Sequence, residues 1–288
     1  MRRLPALVLA LALLAPGRAA GQGTLFIVGG GAQPDALVAR FVELAGGPGQ
    51  AIIVVVPFAS GEPAATGDDK AAQLREFGAR AFTLPLAGDR PAPGAAATLD
   101  SVTGVWFTGG DQASLVAALA GTDVLQAIRT RFRRGAVLGG TSAGAAIMSD
   151  SMITGNQHRP DSLGYYGDEF PDVARGVIEV RPGFGFLPGT IVDQHFLRRE
   201  RHNRLLAAVL ERPGLVGIGI DEGTALEVGR DGTWRVRGAS AVSIYDARGA
   251  RVTRPGAPVL GARGVRLALL PPGSSFNPVR GEAALAGE

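Results

Sequence analysis

Gly140-Thr141-Ser142-Ala143-Gly144 is the stretch best suited to chemistry: a Gly-x-Ser-x-Gly pattern after the apolar run Ala136-Val137-Leu138, leading into a small-residue segment that ends near Met148. Between a strand and a helix, glycines at this spacing allow a turn tight enough to lift the serine out of a sheet as a nucleophile. The next amide, that of Ala143, then lies at a helix start, where the helix dipole favours a developing oxyanion. The same spacing also fits an ordinary capped strand-to-helix turn, so the other residues must decide. A nucleophilic serine needs a base to take its proton and a carboxylate to orient that base. His195 and Glu222 each fall just past the C-terminal end of a run that reads as a strand, Thr190-Ile191-Val192-Asp193 and Leu215 to Ile220.

Positioning these three residues calls for an alternating fold. Continuous apolar runs at 24–28, 51–56, 81–84 and 104–107 read as strands, with helical patterns at 35–44, 69–78 and 113–134, the last interrupted near Gly121-Thr122-Asp123. Strands apolar on both faces, alternating with helices, indicate an α/β fold: a mainly parallel sheet flanked by helices. Ligands bind at the C-terminal ends of such strands, so one edge of one sheet is expected to present Ser142, His195 and Glu222 together. The region 154–189, rich in glycine, proline and polar residues, reads as a long loop or lid with a short strand at 177–180. Beyond Ala225 the short runs at 225–228, 233–236, 241–245 and 265–269, separated by glycine turns, suggest a small antiparallel β-rich C-terminal extension. Gly29-Gly30-Gly31-Ala32-Gln33-Pro34 has proline at the third glycine position of the dinucleotide fingerprint. NAD binding is therefore not expected, and a glycine-rich turn bordering an active site is the better account.

Composition narrows the function further. Met1-Arg2-Arg3-Leu4-Pro5 and the apolar run Ala6 to Ala15, followed by Gly17-Arg18-Ala19, read as a signal peptide over residues 1–20 cleaved after Ala19 or Ala20. The run is too short for a stable membrane anchor. The expectation is an exported chain, periplasmic or extracellular, with 21–288 as one catalytic domain. The formal charge of +3 is supplied entirely by Arg2, Arg3 and Arg18, which leaves a balanced remainder. Apart from a cluster near residue 200 the arginines are scattered, so a nucleic-acid face is not expected. Cysteine is absent, which removes thiolate metal sites, and neither His158 nor His202 has metal-ligand spacing. No metal or cofactor is expected.

The chain order Ser, His, Glu differs from the Ser, acid, His order of α/β-hydrolases. Four motifs in sequence, Gly109-Gly110-Asp111-Gln112, Gly140-Thr141-Ser142-Ala143-Gly144-Ala145, Asp193-Gln194-His195-Phe196 and Asp221-Glu222-Gly223-Thr224-Ala225, instead resemble the cyanophycinases. These are serine peptidases related to aspartyl dipeptidase, on a scaffold similar to class I glutamine amidotransferases. The resemblance implies Ser142 as nucleophile, His195 as general base and Glu222 as the orienting carboxylate. It places the oxyanion hole at the amides of Gly110 and Ala143 and the substrate contacts at Gln112, Asp193 and Gln194. Arg199, Arg201 and Arg204 match the spacing of arginines that face substrate carboxylates in that family, a task suited to planar guanidinium groups. The implied substrate is cyanophycin, a polyaspartate bearing arginine on each β-carboxyl, cleaved to β-aspartyl-arginine dipeptides. Asp168, Glu169 and Asp172 are candidate partners for its guanidinium groups, and the resemblance also suggests a homodimer. The alternatives are an aspartyl or isoaspartyl dipeptidase of the same family and a non-catalytic exported binding protein on this fold.

Overall fold

The apolar run at 24–28 forms β1 (Leu25–Val28), whose four residues are buried on both faces. The structure, a computed structural model, describes residues 22–158, 170 and 172–288, so the expected signal segment at 1–20 lies outside the described residues, as do Asp168 and Glu169. α1 (Asp35–Leu44) buries Leu37, Val38, Phe41 and Val42, a single apolar stripe at helical spacing. β2 (Ile52–Val56) follows, then α2 (Pro63–Glu76), which starts on a proline where no amide partner is needed, and β3 (Arg80–Thr83). A small ribbon of β4 (Leu86–Ala87) and β5 (Arg90–Pro91) leads on to β6 (Gly104–Phe107).

The helical stretch expected over 113–134 is two helices, α3 (Gln112–Leu119) and α4 (Asp123–Arg133). Each is capped by its own sequence: Asp111 accepts from the Ala113 amide at 2.8 Å, and Thr122 from the Leu125 amide at 3.2 Å. Next come β7 (Val137–Thr141), α5 (Ala143–Ala146), β8 (Ser149–Gln157), β9 (Ile178–Pro182), β10 (Leu187–Gln194), α6 (His202–Glu211) and β11 (Val216–Ile220). The C-terminal part adds β12 (Thr224–Val228), β13 (Trp234–Gly238), β14 (Val242–Asp246), β15 (Arg251–Val252), β16 (Ala262–Arg263), β17 (Arg266–Leu270), β18 (Ser275–Asn277) and β19 (Glu282–Ala284).

The α/β architecture of parallel strands flanked by helices is as expected, but its strands divide between two large sheets where the sequence suggested one. A nine-stranded sheet runs β19-β18-β13-β12-β1-β7-β6-β2-β3, and a six-stranded sheet runs β17-β14-β11-β10-β8-β9. In the first, β1, β7, β6, β2 and β3 pair in parallel; in the second, β8, β10 and β11 do. The split follows from chain length. A parallel crossover within one sheet needs a dozen residues or more, but α5 has only four residues before the chain extends again as β8. β8 therefore starts a second sheet. The expected lid is correspondingly shorter than 154–189, because β8 continues to Gln157, β9 pairs antiparallel with it, and β10 begins at Leu187. The C-terminal strands extend both sheets, β12 antiparallel on β1 and β14 antiparallel on β11.

One core joins the two sheets. Leu25, Ile27 and Leu138 from the first meet Val192, Ile218 and Ile220 from the second, with Ala143 and Ala145 of α5 in the same cluster. Each large apolar side chain so buried contributes about 1.5–3 kcal/mol, which holds the sheets in fixed relation. On the other face of the nine-stranded sheet Phe26, Val28 and Trp106 pack under α1 and α2, while α6 covers Ile191 of the second sheet and Phe196 just after β10. The chain passes from the first sheet to the second at Ser142 and α5, and returns from β11 to β12 through Asp221-Glu222-Gly223. Two expected site residues thus sit at two of the crossings between the sheets.

Candidate active site

Ser142 occupies the turn between β7 and α5 with φ 52° and ψ −111°, a conformation that side-chain-bearing residues rarely adopt. Both neighbouring strands hold it there: its own amide donates to the Val28 carbonyl at 3.1 Å, and the Gly144 amide donates to the Thr108 carbonyl at 3.1 Å. The turn has the tight strand-to-helix geometry that the Gly-x-Ser-x-Gly spacing predicts.

His195 follows β10 and is also at positive φ, 50°, with its amide donating to the Gly29 carbonyl at 2.6 Å. Its Nε2 lies 2.8 Å from Ser142 Oγ, and its Nδ1 lies 2.6 Å from Glu222 Oε1. These three side chains form one hydrogen-bonded line from hydroxyl to imidazole to carboxylate. Burial pushes the His195 imidazole below its ordinary value; the Glu222 hydrogen bond opposes that, and the charges of Arg199 and Arg201 add to the lowering. The ring is therefore held neutral, able to take the Ser142 proton on Nε2 while Nδ1–H donates to Glu222. Glu227, the other acid near this turn, is elsewhere: it accepts from Arg40 and Arg237 within β12.

The motif around Glu222 is used residue by residue. Asp221 accepts from the Arg198 amide at 2.9 Å and from Ser240 Oγ at 2.7 Å, tying the histidine loop to the acid turn. The Gly223 amide donates to the Gly30 carbonyl at 3.0 Å. The glycine turn after β1 is a wall behind the line of three: a Cβ at Gly30 would stand 2.3 Å from His195 Cε1, and one at Gly31 would stand 2.8 Å from Glu222 Oε2. The sequence signalled a glycine-rich turn at an active site; that these glycines lie against His195 and Glu222 is visible only in the fold.

The amides expected to bind an oxyanion are Gly110 and Ala143. Among the described residues neither has a hydrogen-bond acceptor. Gly110 sits at φ 134° with a Cβ excluded by the Ala59 carbonyl, 1.9 Å from where it would be, so only glycine can present this amide.

The expected substrate contacts divide differently. Gln112 is buried and donates through Nε2 to the Ile153 carbonyl at 2.6 Å, joining α3 to β8. Arg204, expected to face substrate, is 1 % exposed and lies inside the fold. Its Nε donates to Asp193 Oδ2 at 2.7 Å, its Nη2 to Asp193 Oδ1, and the guanidinium stacks 4.8 Å from the Phe170 ring. Asp193, also 1 % exposed, is thus the counter-ion of an internal arginine and does not line a surface site. Arg201 is buried too, with Nη1 donating to Gln194 Oε1 at 2.5 Å and to the Gln194 carbonyl at 2.9 Å. The correction has a simple cause: β10 and α6 place Asp193 and Gln194 on the buried side, where a carboxylate must be paired. Arg199 alone of the three arginines is exposed. Among the described residues no group of three or more His, Asp and Glu side chains could hold a metal.

A family model described as peptidase family S51 matches residues 25–236. The chain is 38% identical over 216 residues to a cyanophycinase from Synechococcus elongatus, an alignment covering 74% of this chain and 63% of that one. It is 36% identical over 241 residues to a cyanophycinase from Trichormus variabilis, covering 80% and 76%, and 35% identical over 249 residues to one from Geminocystis herdmanii, covering 84% and 87%. Two solved structures share the fold. A peptidase from an acI-B1 Actinobacterium superposes with a TM-score of 0.63 at 23% identity, over 89% of this chain and 97% of that one. A putative peptidase E from Listeria monocytogenes superposes with a TM-score of 0.53 at 16% identity, over 76% and 100%.

Proposed function

The chain belongs to peptidase family S51, and from that premise we propose that it is an exported serine peptidase that cleaves the aspartyl backbone of cyanophycin and releases β-aspartyl-arginine dipeptides. The observation that carries the reading is the continuous line Ser142 Oγ, His195, Glu222, with distances of 2.8 and 2.6 Å. As the scissile carbonyl carbon is attacked by Ser142 Oγ, the hydroxyl proton passes to His195 Nε2, and Glu222 stabilises the imidazolium through Nδ1–H. Negative charge on the carbonyl oxygen is met by the amides of Gly110 and Ala143. Collapse expels the amine, which takes the proton from His195, and leaves an ester on Ser142. Water, deprotonated by His195, then attacks the ester and restores the serine. No step calls for a metal or cofactor.

Export rests on Arg2, Arg3, the apolar run Ala6 to Ala15 and the small residues Gly17, Ala19 and Ala20. The enzyme is proposed to act as a homodimer in the periplasm or outside the cell, on a polypeptide and not on nucleic acid. Purified mature protein incubated with insoluble cyanophycin and, separately, with aspartyl and isoaspartyl dipeptides tests the substrate. Release of β-aspartyl-arginine from the polymer is the expected result, and an intact polymer beside a cleaved dipeptide would overturn it. One observation favours that dipeptidase reading. With Arg204 and Arg201 buried, the arginine array that would grip an extended polyanion is reduced at the surface to Arg199.

A further inference from the structure

A second cavity, of about 400 Å³, lies between the start of α1 and the end of β13, lined by Pro34, Leu37, Arg40, Glu43, Arg237 and Ala239. It shares a wall with the active site. The Ala239 amide donates to the Gly223 carbonyl at 3.0 Å, and Gly223 is the residue after Glu222. Pro34 ends the glycine turn that lies behind His195 and Glu222.

The floor of this cavity is built, not incidental. Glu227, 4 % exposed, receives Arg40 Nε at 3.0 Å, Arg40 Nη2 at 2.9 Å and Arg237 Nε at 3.1 Å. A buried carboxylate so placed fixes both guanidinium planes before any ligand arrives, which removes part of the ordering cost of binding. Two groups keep capacity for a ligand. Arg237 spends only Nε on Glu227, and among the described residues its two terminal nitrogens have no acceptor. Glu43 accepts once, from Arg40 Nη1 at 3.1 Å through Oε2, so Oε1 remains available, and its side chain is 59% exposed. The charges of Arg40, Arg237, Glu43 and Glu227 cancel. A neutral cavity with a cationic and an anionic end suits a zwitterion better than a simple anion or cation.

We infer that this cavity is a second binding site for an arginine unit bearing a free carboxylate, which Arg237 receives, and a free guanidinium, which Glu43 receives. The inference rests on the polymer reading of the active site, because a polyaspartate bearing arginines through their α-amines displays both groups on every residue. One unit seated here holds the chain while another part lies at Ser142. The site gives back at the surface some of the polymer contact that the burial of Arg201 and Arg204 removes.

Glu43→Gln, Arg237→Gln and the double variant are compared with the natural protein on soluble cyanophycin and on a β-aspartyl-arginine peptide too short to span both sites. The expected result is a KM for the polymer raised about tenfold by each single change, the loss of one charged hydrogen-bond contact, with the KM for the short peptide moved less than about twofold. An unchanged polymer KM, or equal changes for both substrates, overturns the inference. In parallel, the same changes in a Ser142→Ala background are assayed for co-sedimentation with insoluble cyanophycin, where weaker retention is expected. Retention that depends on Glu43, together with an inert Ser142 enzyme, would sink the cleavage reading and leave the second site standing; cleavage with retention indifferent to Glu43 and Arg237 would do the reverse.

Discussion

Ser142 and His195, joined by a 2.8 Å hydrogen bond, are both non-glycine residues held at positive φ, 52° and 50°. A left-handed backbone at such a residue costs about 1 kcal/mol, so the pair is aligned at the expense of stability. Ser142→Gly should therefore lose hydrolysis by several orders of magnitude while raising the melting temperature by about 2–4 °C. A calorimetric melt alongside a fluorophosphonate labelling assay checks both halves, and a variant that melts lower would contradict the strain argument.

The pH profile follows from the lowered His195 value. As the proposed base, His195 works only when neutral, so kcat/KM should fall on the acid side with a midpoint below the ordinary histidine value of 6.5. The sign for stability runs the same way: above 6.5 the group is neutral in folded and unfolded chains alike, and as pH falls the unfolded chain takes up the proton first, so stability is lost. Arg199→Gln removes one of the positive charges that depress the ring and should move the acid limb upward. A midpoint at or above 6.5 in the natural protein would refute the burial argument.

Asp193 and Arg204 should behave as scaffold. Breaking a buried ion pair by removing one partner typically destabilises by roughly 3–5 kcal/mol, so Asp193→Ala and Arg204→Met should each shift the urea midpoint far down. Arg199→Gln, at an exposed position, should change stability by less than about 0.5 kcal/mol. If Arg204→Met left the unfolding curve in place and only raised KM, the internal assignment would be wrong.

Gly30→Ala tests the wall behind the base. The added methyl would lie 2.3 Å from His195 Cε1, so the ring must leave its place beside Ser142. Fluorophosphonate labelling of Ser142 should collapse while circular dichroism stays native. Gly47→Ala serves as the control for a positive-φ glycine, since a Cβ there meets nothing within 4 Å.

Much of this protein was legible in its sequence because the signals were local. Apolar runs buried on both faces read as strands, the interruption near Gly121-Thr122-Asp123 fell where α3 and α4 part, and Gly-x-Ser-x-Gly described a turn complete within five residues. Ser142, His195 and Glu222 could be singled out because each lies just past such a run. Their distances to one another could not, since sequence separations of 53 and 27 residues carry no geometry. The partition into two sheets depended on α5 being too short for a parallel crossover, and the small-residue run after Ser142 did not show that its helix stops after four residues. The family resemblance implied Arg201 and Arg204 as substrate contacts, yet a resemblance in motif does not say which face of β10 and α6 meets the core. Only the packed fold, by burying Asp193 and requiring a partner for its charge, turned those arginines inward.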